Sequence, residues 1–511
     1  MHILMPGAEN GALAGGKVGG MGDVLRDLPR AVAELGHEVT VVMPAYGYFH
    51  RSNASVEMTS VATRFRGRRE TVEVFRLEKT RGSKRVRTLF LEHPAFSACG
   101  EGVIYCDDND GQPFARDSEK FALFSAAVAD GVLDGAFGDV DVIHLHDWHV
   151  GTVATLLRQH PRYAATASLR IVTTIHNLAL QGTRPLDGNP ASLYEWFPDL
   201  PINPLFTDPR YPNCYNPLRA ALNFSDQVNT VSKTYVEEIC DPQQQRGEGL
   251  GEDLRRLKSE GRLHGILNGC AYPKNLPAAP SWEEFLEDAR NTLLCWMADE
   301  GTVRSAHAIA LERLRERETT TEPRHVVTCI GRLTDQKLGL LAHTMADGRT
   351  ALEHMLDLMQ AEEELLVLGN GQSDIEGLLT RAMAANPKLL FLRGYSDTLS
   401  EQLYAMGKLF LMPSLFEPCG IAQMLAMRAG QPCLVNHTGG LADTVLDEVN
   451  GFVFDGDSPD DLAMAMVQRF DQALTRIRRH TRKYQTICDK ASAARFRWKH
   501  SARAYVEHLY A

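Results

Sequence analysis

The chain of 511 residues lacks any basic tract, and its formal net charge is −11. That balance argues against a nucleic-acid-binding protein. No apolar run is long enough to cross a bilayer. The opening residues, MHILMPGAEN, lack the basic start and long apolar stretch of a secretory signal and read as a first strand. None of the ten cysteines forms a C-x-x-C pair, and Cys329 and Cys433 sit inside apolar, strand-like runs. The expectation is free thiols in a reducing cytoplasm rather than a disulfide framework. What the chain does have is 44% hydrophobic and 23% charged residues, the make-up of a soluble globular protein. Its length suits two or three domains.

Strand and helix patterns alternate along the first half. HILMPG reads as a strand, then a glycine-rich loop, then helical GDVLRDLPRAVAELG with Val24, Leu25, Leu28, Val32 and Leu35 at helical spacing, then the strand EVTVVMP. Pro29 is the one awkward residue in that helix. DVDVIHLHD, LRIVTTIHN, DQVNTVS and RLHGILNG continue the strands, with VGTVATLLRQH and KTYVEEIC as helices between them. A charged, helix-forming stretch follows to about Pro323, and a second α/β series opens with RHVVTCIGRL. It runs through EELLVLGNG, KLLFLRGY, KLFLMPS and QPCLVNHTGG to a final helix, RFRWKHSARAYVEHLY. The pattern predicts two doubly wound parallel domains, which bind ligands beyond the carboxyl ends of their strands.

The distinctive residues lie at those strand ends. Gly11, Gly16 and Lys17 begin a P-loop pattern, but Val18 stands where the metal-binding hydroxyl belongs. The alternative is a glycine cradle, KVGGMGD, in which Gly19, Gly20 and Gly22 open backbone N–H groups to a phosphate and Lys17 adds a cation. HLHDWH places His144, His146, Asp147 and His149 at a strand end. A metal there is weakly signalled, since strand-end histidines more often make hydrogen bonds, and Asp147 is either a helix N-cap or a cleft carboxylate that holds sugar hydroxyls. His176 ends another strand. GRLTDQK supplies Arg332 and Lys337, two cations suited to a diphosphate. PSLFEPCG places Glu417 after a strand, and NHTGGLADTV repeats the strand–glycine–helix device with Gly439 and Gly440.

Together KVGGMGDV, HLHDWHVG, TIHNLALQG, FSDQVNTVSKTYVEEI, GILNG, IGRLTDQK, LGNG, FLRGYSD, LMPSLFEPCGIAQMLAMRAG and HTGGLADTV resemble bacterial glycogen synthases and plant starch synthases. These are retaining α-1,4-glucosyltransferases, and the motifs occur in family order over nearly the whole chain. The resemblance implies an α/β GT-B fold, two Rossmann-like doubly wound domains facing across a cleft. It implies an N-terminal domain over residues 1–272, a helical junction over 273–323, a nucleotide-sugar domain over 324–490, and a helix over 491–511 returning to the first domain. The implied donor is ADP-glucose, ahead of UDP-glucose, and the implied acceptor is an α-1,4-glucan. Neither metal nor cofactor is implied, nor a nucleic-acid or membrane partner, and homo-oligomerisation stays open. Implied catalytic residues are Glu417, Asp147, His176, Lys337 and Arg332. Implied donor contacts are Lys17, Gly19, Gly20, Asp23, Asn268, Arg332, Lys337, Tyr395 at the nucleoside, Cys419 and Gly420 at the sugar, and Thr438, Gly439 and Gly440 on phosphate.

The chain departs from the family at Cys270–Tyr272 after LNG, at Ala422, at Ala429 and at Arg219–Ala221, and over an expanded stretch from Trp282 to Glu322. Other retaining GT-B enzymes often carry a second glutamate eight positions after the first. Leu425 stands there, which favours the synthase branch over an enzyme with a small acceptor. A non-catalytic glucan-binding paralogue is the remaining alternative, and the retained Glu417, Arg332 and Lys337 speak against it.

Overall fold

The structure, a computed structural model, describes residues 1–78, 85–108 and 111–511. They form two compact units, Met1–Gly269 with Arg497–Ala511, and Cys270–Phe496.

The first unit is built on nine strands: β1 (His2–Pro6), β2 (Glu38–Pro44), β3 (Ser55–Phe65), β4 (Arg68–Leu77), β5 (Val86–Glu92), β6 (Val142–His146), β7 (Arg170–Ile175), β10 (Gln227–Thr230) and β11 (Leu263–Gly265), with a separate two-stranded pair of β8 (Arg184–Pro185) and β9 (Cys214–Tyr215). The sheet order is β11-β10-β7-β6-β1-β2-β5-β4-β3. From β11 to β5 neighbours run parallel, and β5, β4 and β3 close the sheet as an antiparallel ribbon. The parallel strands are buried on both faces and therefore read as apolar runs. The chain moves outward from β1 on one side and from β6 on the other, so the switch point lies between them. Loops after adjacent strands diverge there and leave a crevice for a ligand. The helix Gly20–Glu34 buries Val24, Leu25, Leu28 and Val32 against the sheet, and Pro29 sits within it without ending it.

The second unit holds β12 (His325–Ile330), β13 (Glu363–Gly369), β14 (Leu389–Arg393), β15 (Leu409–Met412), β16 (Cys433–Asn436) and β17 (Gly451–Phe454), in the order β14-β13-β12-β15-β16-β17. Every pairing is parallel. Its switch point lies between β12 and β15.

Two expectations change. The stretch 273–323 is part of the second unit: helices Trp282–Glu300 and Ser305–Glu318 bury Phe285, Leu286, Leu293, Ala310 and Leu314 in that unit's core. The tail joins the first unit only from Arg497 onward. There Trp498 packs on Gly269, Tyr505 Oη accepts from Asn229 Nδ2 at 3.0 Å, and Tyr510 Oη meets His144 Nδ1 at 2.8 Å. The thiol expectation also fails at one place: Cys99 and Cys106 are joined in a disulfide, with Cα atoms 5.6 Å apart, while the other eight cysteines are free. A short turn brings this pair together, and a search for C-x-x-C spacing does not detect it. No helix of the described residues is long and apolar enough to cross a membrane.

Candidate active site

The glycine loop after β1 already holds an anion of its own. Glu9 is buried, and its Oε2 accepts from the backbone N–H groups of Val18 at 2.9 Å and Gly19 at 2.7 Å. Tyr105 Oη donates to Glu9 Oε1 at 2.7 Å. The reading of Gly19 as a backbone donor to phosphate is therefore corrected, because a carboxylate of the chain takes that N–H. Gly22 packs closely on this pair: a Cβ there would stand 3.0 Å from Glu9 Oε2 and 3.1 Å from Lys17, so either side chain would have to give by a few tenths of an ångström. Lys17 pairs with Asp23 at 2.7 Å, and Arg26 holds the other Asp23 oxygen at 3.0 Å. Asp23 thus orients Lys17, and Gly20 stays exposed at the helix start.

Tyr105 is held from below. Lys120, 1% exposed, donates to Ile104 O at 2.6 Å and pairs with Asp117 at 2.7 Å, and Asp117 accepts from Cys106 N at 3.1 Å. Sequence reading missed both Glu9 and Tyr105. A single acidic residue just beyond the first strand was the available signal.

Across the switch point, Asp147 follows β6 at φ 58°, a left-handed conformation that costs a non-glycine residue energy. Its Oδ1 accepts from His176 N at 2.6 Å. Burial pushes its carboxyl up to about 7; the backbone N–H groups of His176 and Asn177 oppose the shift, and the charge of Glu9 adds to it. His146 Nδ1 and His176 Nε2 share a hydrogen bond at 3.0 Å, and His144 Nε2 meets Thr174 Oγ1 at 2.7 Å. His149 stacks on Trp148 with ring centroids 4.3 Å apart. Burial lowers His144, His149 and His176 to about 3 and lowers His146 as well, so all four are neutral imidazoles near pH 7. Asn268 is buried nearby in sequence to β11, with its Oδ1 unpartnered among the described residues.

The second unit brings its predicted residues together at its own switch point. The loop after β12 carries Arg332, the first turn of the helix that follows it (Asp335–Ala342) carries Lys337, and the loop after β15 carries Glu417. Lys337 Nζ forms an ion pair with Glu417 Oε2, which also accepts from Ser414 Oγ at 3.3 Å. The two loops are stitched together by Leu415 N to Gln336 O at 2.8 Å and Gln336 Nε2 to Phe416 O at 3.0 Å. Arg332 is exposed and has no ion-pair partner among the described residues. Glycines at 439 and 440 are required because a Cβ at either would collide with the Glu417 or Cys419 carbonyl. Gly440 N donates to Glu417 O at 3.0 Å and Thr438 N to Asn436 O at 2.9 Å. Both N–H groups brace the turn behind Glu417, so the reading of the Gly440 N–H as a phosphate donor is corrected. Gly420, at φ 73°, turns the chain beside buried Cys419. Tyr395, two residues beyond the end of β14, has 56% of its surface exposed, its Oη donating to Asp397 at 2.6 Å.

Two doubly wound units with cationic and carboxylate residues at their switch points are those of a GT-B glycosyltransferase. Residues 2–256 match the family model for the starch synthase catalytic domain, and 324–472 match that for glycosyl transferases group 1. A glycogen synthase from Anaeromyxobacter sp. is 34% identical over 100% of this chain and 99% of its own, and one from Gloeobacter violaceus is 33% identical over 99% and 98%. The catalytic domain of starch synthase IV from Arabidopsis thaliana, solved bound to ADP and acarbose, superposes with TM-score 0.75 at 26% identity, covering 99% of this chain and 98% of that one. A sucrose-phosphate synthase from Thermosynechococcus elongatus shares the fold, at TM-score 0.55 and 18% identity over 99% and 97%. The chain belongs to the glycogen synthase and starch synthase family.

Proposed function

We propose that this chain transfers glucose from ADP-glucose to the non-reducing end of an α-1,4-glucan with retention of configuration. The observation that carries the reading is the Lys337–Glu417 pair at the second switch point, with exposed Arg332 five residues before Lys337 on the same connection after β12. When a glycosidic bond to a diphosphate breaks, negative charge grows on the leaving oxygen and positive character on the anomeric carbon. Arg332 and Lys337 meet the first charge and Glu417 the second, so no metal is required. The acceptor's 4-hydroxyl attacks from the face the diphosphate leaves, and the leaving oxygen takes its proton. Glu417 orients and polarises without becoming a covalent nucleophile. Tyr395 offers its ring to the nucleoside, and Cys419 and Gly420 border the sugar. Lys17, oriented by Asp23, serves donor phosphate, and Asp147, His176 and Asn268 serve the glucose. ADP in the related starch synthase structure supports the adenine nucleotide. A cytoplasmic setting is part of the proposal: eight free cysteines support it, and the Cys99–Cys106 disulfide counts against it.

The test is incorporation of labelled glucose from ADP-glucose and from UDP-glucose, each offered glycogen, maltose or no acceptor. Label in glycogen from ADP-glucose supports the proposal. Transfer to maltose alone moves the enzyme to the small-acceptor class, and no transfer with tight glycogen binding makes it a binding protein.

Asp147 sets the pH dependence. Sugar hydroxyls donate best to its ionised form, so donor binding favours loss of its proton. The donor KM is expected to fall about tenfold from pH 6 to pH 8, as the group at about 7 ionises. The neutral histidines contribute no limb in this range. Asp147→Asn removes the dependence, and initial rates across that range check it.

A further inference from the structure

Tyr395 depends on something outside its own loop. It follows β14, an edge strand supported by sheet neighbours on one side only. Just beyond Arg393 the sheet contributes the bond from Gly394 N to Gly369 O at 3.1 Å. The helix Ser305–Glu318 packs against β14, and the helix Trp282–Glu300 reaches Arg393 and the turn after it. The Trp296 indole lies directly on Gly394, so closely that a Cβ at that residue would fall 2.7 Å from three ring atoms. Gly394 has φ 156°, which only glycine adopts readily. His307 is fully buried and its Nε2 donates to Arg393 O at 3.1 Å. Glu300 pairs with Arg393 NH1 at 2.7 Å, and Arg393 Nε reaches Glu376 at 2.6 Å. Glu376 in turn accepts from Gly371 N at 2.9 Å, and Gly371 packs against the Leu333 backbone, next to Arg332.

We propose that this helical pair is a positioning device for the donor nucleotide, with Trp296 as the positioning residue that sets the Gly394–Tyr395 turn. The inference rests on the reading of Tyr395 as the nucleoside platform. The Tyr395 ring, more than half exposed, is carried by the turn that Gly394 makes, and Trp296 presses on that turn. Trp296 touches no reacting atom, so its loss affects donor affinity rather than the chemical step.

The experiment measures donor KM, acceptor KM, kcat and ADP affinity for the full-length enzyme and for Trp296→Ala, Trp296→Phe and Tyr395→Ala. The expected result for Trp296→Ala is a donor KM and an ADP Kd raised about tenfold, with kcat and glucan KM within about twofold of wild type. Trp296→Phe keeps an aromatic face on Gly394 and restores most of the affinity. If Tyr395→Ala weakens ADP and Trp296→Ala does not, the positioning role is overturned while the platform reading stands. If neither variant weakens ADP, the platform reading falls and the inference with it. If both Trp296 variants lower kcat and weaken donor and acceptor alike, or fail to fold, Trp296 is a packing residue and the inference is overturned.

Discussion

Glu417→Gln is expected to lower kcat by about a thousandfold, or ~4 kcal/mol of transition-state stabilisation, with little loss of stability. The carboxylate lies at a strand end outside the apolar core, held by Lys337 and Ser414. Glutamine fills the same space, and its oxygen still accepts from both partners. What is lost is the negative charge, which matters only when positive character develops at the anomeric carbon. The donor KM should therefore move far less than kcat. Steady-state kinetics and thermal unfolding of the same preparation check this, and a melting temperature within about 4 °C of wild type separates chemistry from folding. Glu417→Ala is the harsher variant, because it leaves the half-buried Lys337 without its partner.

Lys337→Gln is expected to reduce kcat/KM for ADP-glucose by between about a hundredfold and a thousandfold. The ammonium meets the charge that builds on the departing diphosphate, and Arg332 alone cannot replace it. Glutamine keeps a donor for Glu417, so the carboxylate is not left bare. The two residues act on opposite charges of one transition state. The double variant should therefore be worse than either single one. If Glu417 served only to hold Lys337, the double variant would be no worse than Lys337→Gln, and a double-mutant cycle on kcat distinguishes the two cases.

The parallel strands were legible because both faces of each are buried, which writes them as apolar runs such as VVTCI and LFLM. Strand-end loops were legible for the same reason: glycines and charges interrupt those runs. The ribbon of β3 and β4 was not, since its outward face alternates arginine, glutamate and threonine and carries no continuous apolar signal. Sequence placed Lys337 and Glu417 each after a strand, but their pairing across 80 residues required the order β12-β15, which periodicity does not encode. Glu9 was hidden because one carboxylate in GAEN has no pattern, and its role appears only when the loop folds its N–H groups back onto it. The same folding uses the Gly19 and Gly440 N–H groups, which the glycine motifs alone suggested were open to a ligand.

The most direct test is diffraction from crystals of the enzyme soaked with ADP. The account predicts Arg332 and Lys337 within hydrogen-bond distance of the β-phosphate, the adenine against the Tyr395 ring, and Glu417 facing the space where the glucose would sit. Well-defined ADP that leaves Lys337 on Glu417, with its phosphates away from Arg332, would contradict it.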